Sequence, residues 1–250
     1  MIDNEQIKNQ LKHRSIRFFK DQEVEEEVLD TIFAVGQRTA TSVGMQAVSI
    51  VRLTDQDLKD KVMTVAKQPY IAKAPELFIF VVDLYRNMKI AHEKGSEVEA
   101  PTMNHFFQGA ADAYLMAQNM MTAIETLGLG GTFLGNILSD PEAVIESLEL
   151  PQYTFPILGM ILGYPEDDPQ LKPRLPMELR VSNNTYQTYD NYLEEIADYE
   201  EQSILYYDTR ESNKRSDSFS KQVCQHMETR SVNRDEILKF IEKQGFDLGL

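Results

Sequence analysis

Two cationic knots stand out in an acidic chain. His13-Arg14-Ser15-Ile16-Arg17 lies near the N-terminus and Lys172-Pro173-Arg174-Leu175-Pro176 far downstream, in a chain whose formal net charge is −15. Guanidinium, ammonium and hydroxyl groups so gathered make short charge-assisted hydrogen bonds to phosphate oxygens, so they suit a small phosphorylated ligand. Either knot alone reads as well as a solvated surface turn; the pair favours the ligand. Other chemistries find less support. His13, His92, His105 and His226 are scattered, without metal-ligand spacing. The single cysteine, Cys224, sits among polar residues and reads as incidental rather than nucleophilic. Gly128-Leu129-Gly130-Gly131-Thr132-Phe133-Leu134-Gly135 is glycine-dense, yet it fits neither a Walker A loop nor a dinucleotide fingerprint. Its glycines are expected to let the backbone approach a planar ligand or a neighbouring helix.

Composition bounds the answer. At 250 residues, 42% hydrophobic and 26% charged, the chain can bury a substantial core as one large domain or two small ones. The acidic balance argues against general affinity for nucleic acid or anionic membranes, though not against a local pocket for a small anion. One cysteine allows no intrachain disulfide, and the first residues lack a signal-peptide pattern. With no apolar run of bilayer length, a soluble cytoplasmic protein is expected.

The elements that would position the knots follow from periodicity. Helices are predicted from Asn4 to Lys12, from Glu23 to Arg38, and from an Asp55 cap to about Ala66. Thr39 to Gly44 is hydroxyl-rich and reads as a loop. Ala47 to Leu53, Glu76 to Val82 and Phe155 to Leu162 read as strands, the last two buried on both faces. Glu93 to Pro101 reads as a loop. Met103 to Leu127, stopped by Gly128, is the longest helical pattern; its alanines and methionines suit a core or a subunit interface. Asp140-Pro141-Glu142 caps a short helix. Beyond Tyr186 the composition turns acidic and tyrosine-rich, with Tyr192, Ile196, Tyr199 and Ser203 at helical spacing. Arg210 to Arg215 reads as a cationic linker, followed by two helices. The outline is an α+β core over 1–188 with a helical C-terminal extension over 189–250.

The ordered set of His13 to Arg17, Thr39 to Gln46, the Ala-rich helix leading into Gly128-Leu129-Gly130-Gly131, and Leu171 to Pro176 resembles the FMN-dependent nitroreductase family. The most similar subgroup is that of NADPH-dependent flavin oxidoreductases and oxygen-insensitive nitroreductases. Tyr206-Tyr207-Asp208-Thr209-Arg210 followed by Ser212-Asn213-Lys214-Arg215 is similar to its tail. The resemblance runs from about Lys12 to Gly245. It implies an α+β fold, a mixed sheet wrapped by helices, in an intertwined homodimer with one FMN in each of two interface pockets.

Residue roles are implied in the same way. His13, Arg14 and Ser15 would line the FMN phosphate and ribityl chain, with Lys172 and Arg174 completing the phosphate clamp. Arg17 would lie at the N1–O2 edge of the isoalloxazine, where a fixed cation stabilises charge placed on N1. Thr41 and Ser42 match a hydroxyl loop given by the partner subunit. Gln68 and Tyr70 match contacts to the pyrimidine side, and Phe133, Leu134 and Gly135 a backbone stretch beside the ring. Asn136 and Val43-Gly44 depart from the family pattern. Arg210 and Arg215 resemble arginines that hold the 2′-phosphate of NADPH; the alternative is a solvated linker. Tyr70 and Phe133 have the alternative of core aromatics.

The implied activity is a ping-pong transfer of two electrons from NADPH to nitroaromatics, quinones or free flavins, without a catalytic side-chain nucleophile or a metal. One rival is a flavin-binding protein that does not turn over nicotinamide, a reservoir or redox sensor. Others are a dehalogenase or flavin-destroying enzyme on the same fold, and an acidic interaction protein without cofactor.

Overall fold

A computed structural model describes residues 2–208 and 218–249. In chain order they form α1 (Glu5–Leu11), α2 (Glu26–Gln37), β1 (Val48–Arg52), α3 (Gln56–Ala66), β2 (Glu76–Asp83), α4 (Tyr85–Glu93), α5 (Met103–Thr126), β3 (Gly130–Leu134), α6 (Pro141–Ser147), β4 (Thr154–Gly163), α7 (Tyr192–Glu195), α8 (Ala197–Asp208), α9 (Phe219–Glu228), α10 (Val232–Asp235) and α11 (Ile237–Lys243).

The caps are local and chemical. Asn4, Asp55 and Asp140 each accept a backbone N–H of the first helical turn, at 3.2, 3.0 and 3.1 Å. Gly128, at φ +81°, lets the chain turn away after α5. The helix expected from Glu23 begins later, at Glu26, because Val24 is buried ahead of it and lent its side chain to the pattern. Helix α4 was not expected; Met88 is its one buried residue, too little for a periodic signal.

The sheet runs β1-β2-β4-β3 and its strands pair antiparallel. A parallel element enters at the bridge between Ser15 and Gly131. β2 is buried along its whole length, and its alternate side chains feed two cores. Phe78, Phe80 and Val82 join α2 and α5; Leu77, Ile79 and Val81 join α3 and α6. The register with β4 slips between Phe80, opposite Leu158, and Val81, opposite Pro156. That bulge inverts the parity of β4, so Phe155 and Ile157 before it share a core with Met160 and Leu162 beyond it.

The alanines and methionines of α5 are spent inside this core: Ala113, Ala117, Met120 and Met121 are fully buried. What α5 leaves uncovered is another stripe, Phe107, Tyr114 and Leu115, 65%, 47% and 52% exposed. Gly130 and Gly131 serve close packing. A Cβ would lie 2.4 Å from Ile16 at Gly130, and 2.6 Å from the Ile161 carbonyl oxygen at Gly131.

Two compact units result. The first is Met1–Asp168 with Ser231–Leu250, the second Pro169–Arg230. Composition marks a boundary at residue 188; packing marks one after Asp168 and a return at Ser231. In the first unit the returning segment lays Phe246 edge-on against Phe106, centroids 5.2 Å apart, and Asp247 pairs beside Thr102. In the second, Ile196, Tyr199 and Ser203 of the helically spaced set are buried while Tyr192 stays exposed, and Tyr199 packs edge-on against Phe219 at 5.1 Å. Among the described residues no helix is long and apolar enough to cross a membrane.

Candidate functional site

The first knot is held by β3. Ile16 donates its N–H to the Gly131 carbonyl at 2.9 Å, and Ser15 bridges to the same glycine. The glycine pair is what permits this approach. His13, Arg14 and Ser15 are therefore half-buried on a fixed ribbon. His13 Nδ1 lies 2.6 Å from Glu125 Oε1, in the last turn of α5. A carboxylate there favours the Nδ1–H form and fixes the ring plane. Arg14 donates to the Lys12 carbonyl at 3.0 Å and pairs with Asp168 at 3.3 Å.

Two residues on, the ribbon brings Arg17 to Tyr70, guanidinium carbon 6.0 Å from the ring centroid. Both border a cavity of about 410 Å³ that Phe18, Phe19, Pro69 and Lys73 also line. Tyr70 sits in a short 3-10 turn, Pro69–Ile71, whose Ile71 is fully buried. Tyr70 is half-buried against the α3 core, so its role as a packing aromatic and its place at this cavity hold together. The residue before that turn, Gln68, has its Oε1 buried with no hydrogen-bond partner.

Thr41 and Ser42 lie elsewhere. They open the loop between α2 and β1, and Thr41 lines a separate cavity of about 740 Å³ that shares no residue with the one at Arg17. Thr41 Oγ1 is also buried without a partner. Within one chain, then, the hydroxyl loop is not brought to the cationic ribbon.

Phe133 and Leu134 end β3. Leu134 is buried and Phe133 packs half-buried against the α5 core, so the backbone is what this stretch can present. Gly135 begins a 3-10 turn with Asn136, and the Arg234 guanidinium donates to the Gly135 carbonyl at 2.7 Å. Asn233 donates to the Ser139 carbonyl at 2.9 Å, so α10 holds both ends of that turn. Lys172 and Arg174 belong to the second unit, both exposed, with Arg174 folded onto the carbonyls of Lys172 and Pro173. Arg210 and Arg215 lie outside the described residues.

Glu125, Lys73, Arg234 and Asp112 (which accepts the Ser42 N–H at 2.7 Å) are neighbours of the site that the sequence reading missed. Asp112 alone carried a signal, a carboxylate amid Ala110 and Ala113 on an apolar helix.

These groups suit an isoalloxazine. Its ring N3–H needs an acceptor and its N1–O2 edge a cation; Gln68 Oε1 and Arg17 are of those types. A buried acceptor left unpaired costs about 1–3 kcal/mol, and the unpartnered Gln68 oxygen belongs to the residue just before Pro69 and Tyr70, which line the Arg17 cavity.

Comparison with known proteins points the same way. Residues 11–164 match the Nitroreductase family and 172–249 the Nitroreductase family, C-terminal domain. The oxygen-insensitive NADPH nitroreductase of Salmonella typhimurium is 38% identical over 235 residues, spanning 94% of this chain and 95% of that one. Among solved structures, nitroreductase A of Vibrio parahaemolyticus superposes with a TM-score of 0.89 at 34% identity, covering 98% of this chain and 99% of its own. The NADPH:FMN oxidoreductase of Vibrio harveyi, complexed with NAD+, gives 0.87 at 32% identity over 97% and 99%.

Proposed function

Because the chain belongs to the nitroreductase family, we propose that it is an NADPH-dependent FMN oxidoreductase that delivers two electrons, by a ping-pong cycle, to nitroaromatics, quinones or free flavins. The observation that carries this reading is the unpartnered buried oxygen of Gln68, the residue that leads into the turn whose Pro69 and Tyr70 line the Arg17 cavity. When bound, FMN supplies the hydride chemistry between nicotinamide and acceptor.

The chain's own residues bind and orient. Arg17, held over Tyr70 and within 3.5 Å of the Ser15 carbonyl, keeps a positive charge in place before the reaction begins. Gln68 accepts the ring N3–H. His13, Arg14 and Ser15 take the phosphate and ribityl chain from a ribbon that β3 fixes. The backbone of Phe133, Leu134 and Gly135 borders the ring. Lys172 and Arg174 carry a phosphate-binding role, and Arg210 and Arg215 a 2′-phosphate role, by resemblance. Thr41 and Ser42 serve the partner subunit of a homodimer, which accords with their distance from the ribbon within one chain and with the uncovered apolar stripe of α5.

The purified protein is expected to be yellow or to take up FMN, and NADPH is expected to bleach it in the stopped flow. Colourless protein that refuses FMN overturns the proposal. Uptake without bleaching moves it to a flavin reservoir or sensor. Arg210→Ala is expected to cut the kcat/KM preference for NADPH over NADH roughly tenfold, the worth of one lost charged hydrogen bond; an unchanged preference removes Arg210 from the account.

A further inference from the structure

The loop from Thr41 to Ala47 is held more firmly than a surface connection requires, and in a shape its residues resist. Val43 and Gln46 adopt φ of 43° and 49° although neither is glycine, and Gly44 between them adopts 73°. Such conformations persist where the surroundings over-determine them. Here three side chains on two helices do so. Asp112 of α5, 2% exposed, accepts the Ser42 N–H at 2.7 Å on one oxygen and the Ala47 N–H at 3.0 Å on the other. From α4, Asn87 donates to the Met45 carbonyl at 3.0 Å and Arg86 to the Gln46 carbonyl at 2.5 Å.

Asp112 takes part in none of the ion pairs among the described residues. A desolvated carboxylate is costly, and here it is met by two backbone donors of the loop, one of them on Ala47, which is itself buried. What the arrangement gains is a fixed loop shape. That loop begins at Thr41, whose buried Oγ1 has no partner, and Thr41, Gly44, Met45 and Gln46 line one cavity with Arg86 and Asn87.

We propose that Asp112, assisted by Asn87 and Arg86, is a positioning residue for the flavin reaction: it pins residues 41–47 so that the Thr41 hydroxyl and Ser42 are presented to FMN in a preformed arrangement. The proposal rests on the flavin reading above. Asp112 acts through the loop and touches neither cofactor nor substrate. Asp112→Asn keeps its shape but turns one acceptor into a donor, which then faces a backbone N–H.

Two readouts on the full-length, FMN-free protein test this. Hydrogen exchange reads the pin: the Ser42 and Ala47 amides are expected to exchange roughly tenfold faster in Asp112→Asn. Fluorescence titration with FMN reads its use: the dissociation constant is expected to rise roughly tenfold. Asn87→Ala, at a half-buried site, shifts both quantities the same way and by less, and serves if Asp112→Asn does not fold. The double mutant with Thr41→Val separates positioning from mere stability. If Asp112 acts through Thr41, Asp112→Asn/Thr41→Val binds FMN no worse than Asp112→Asn alone. Multiplying effects, or faster exchange with unchanged FMN affinity, overturn the proposal. Wild-type protein that takes up no FMN shows instead that the flavin reading has failed, with the exchange rates still reporting the pin.

Discussion

At the scale of single residues, the legible part of the site was the part written contiguously. His13, Arg14, Ser15 and Arg17 announce themselves because one ribbon carries all four. Their partners do not: Glu125 reaches His13 from the far end of α5, and nothing local in either segment predicts the 2.6 Å contact. Charge burial was equally hidden. Lys59 looks like a surface residue of an amphipathic helix, yet it is 8% exposed and donates to the carbonyls of Ala74 and Pro75 at 3.0 and 2.9 Å. Burial pushes its pKa below the usual 10.5, against the attraction of Glu76. In the window between the lowered value and 10.5 the unfolded chain holds that proton more readily than the folded one, so stability climbs with pH there. Lys59→Met, which keeps the stem and removes the charge, is expected to flatten this alkaline rise. Denaturant midpoints measured from neutral pH to about pH 10 check it, and an undiminished rise in the variant assigns the effect to other groups.

At the scale of elements, strand and helix identities were readable wherever periodicity and a cap agreed, as at Asp55 and Asp140. The slip in β4 was not, because Phe-Pro-Ile-Leu-Gly-Met-Ile-Leu is apolar on both faces and carries no alternation to break. Two glycines in one run now separate. At Gly131 an added methyl would press on the Ile161 carbonyl oxygen at 2.6 Å, a backbone atom that cannot move aside. At Gly135 the nearest atom is the Arg234 guanidinium at 3.5 Å, ordinary contact. Gly131→Ala is therefore expected to cost about 1–3 kcal/mol and to loosen the Ser15 ribbon. Gly135→Ala is expected to leave thermal stability within about 0.5 kcal/mol while weakening FMN, since its backbone would border the ring. Thermal melts alongside FMN titrations read both. Equal destabilisation by the two substitutions contradicts the packing given for Gly131.

For the whole molecule, the α5 pattern allowed a core or a subunit interface, and the protomer's own core is where it goes. Its alanines and methionines fill that core, and the face left over carries two aromatics and a leucine: Phe107, Tyr114 and Leu115. A stripe of that kind on an acidic protein suits a homodimer. Because Leu115 is half exposed in the single chain, Leu115→Glu should spare the fold and weaken association. Sedimentation at micromolar concentration is expected to give a dimer for the wild type and a lighter species for the variant; a monomeric wild type removes the dimer from the proposed function.

The return of Ser231–Leu250 to the first unit carries one more consequence. Phe246 and Ile241 complete the core that β2 and α5 begin, so a chain growing on the ribosome holds an unsealed apolar surface through the synthesis of all of Pro169–Arg230. Nascent protein is thus exposed to misassociation until its closing residues emerge, and translation speed through that middle stretch becomes a determinant of yield.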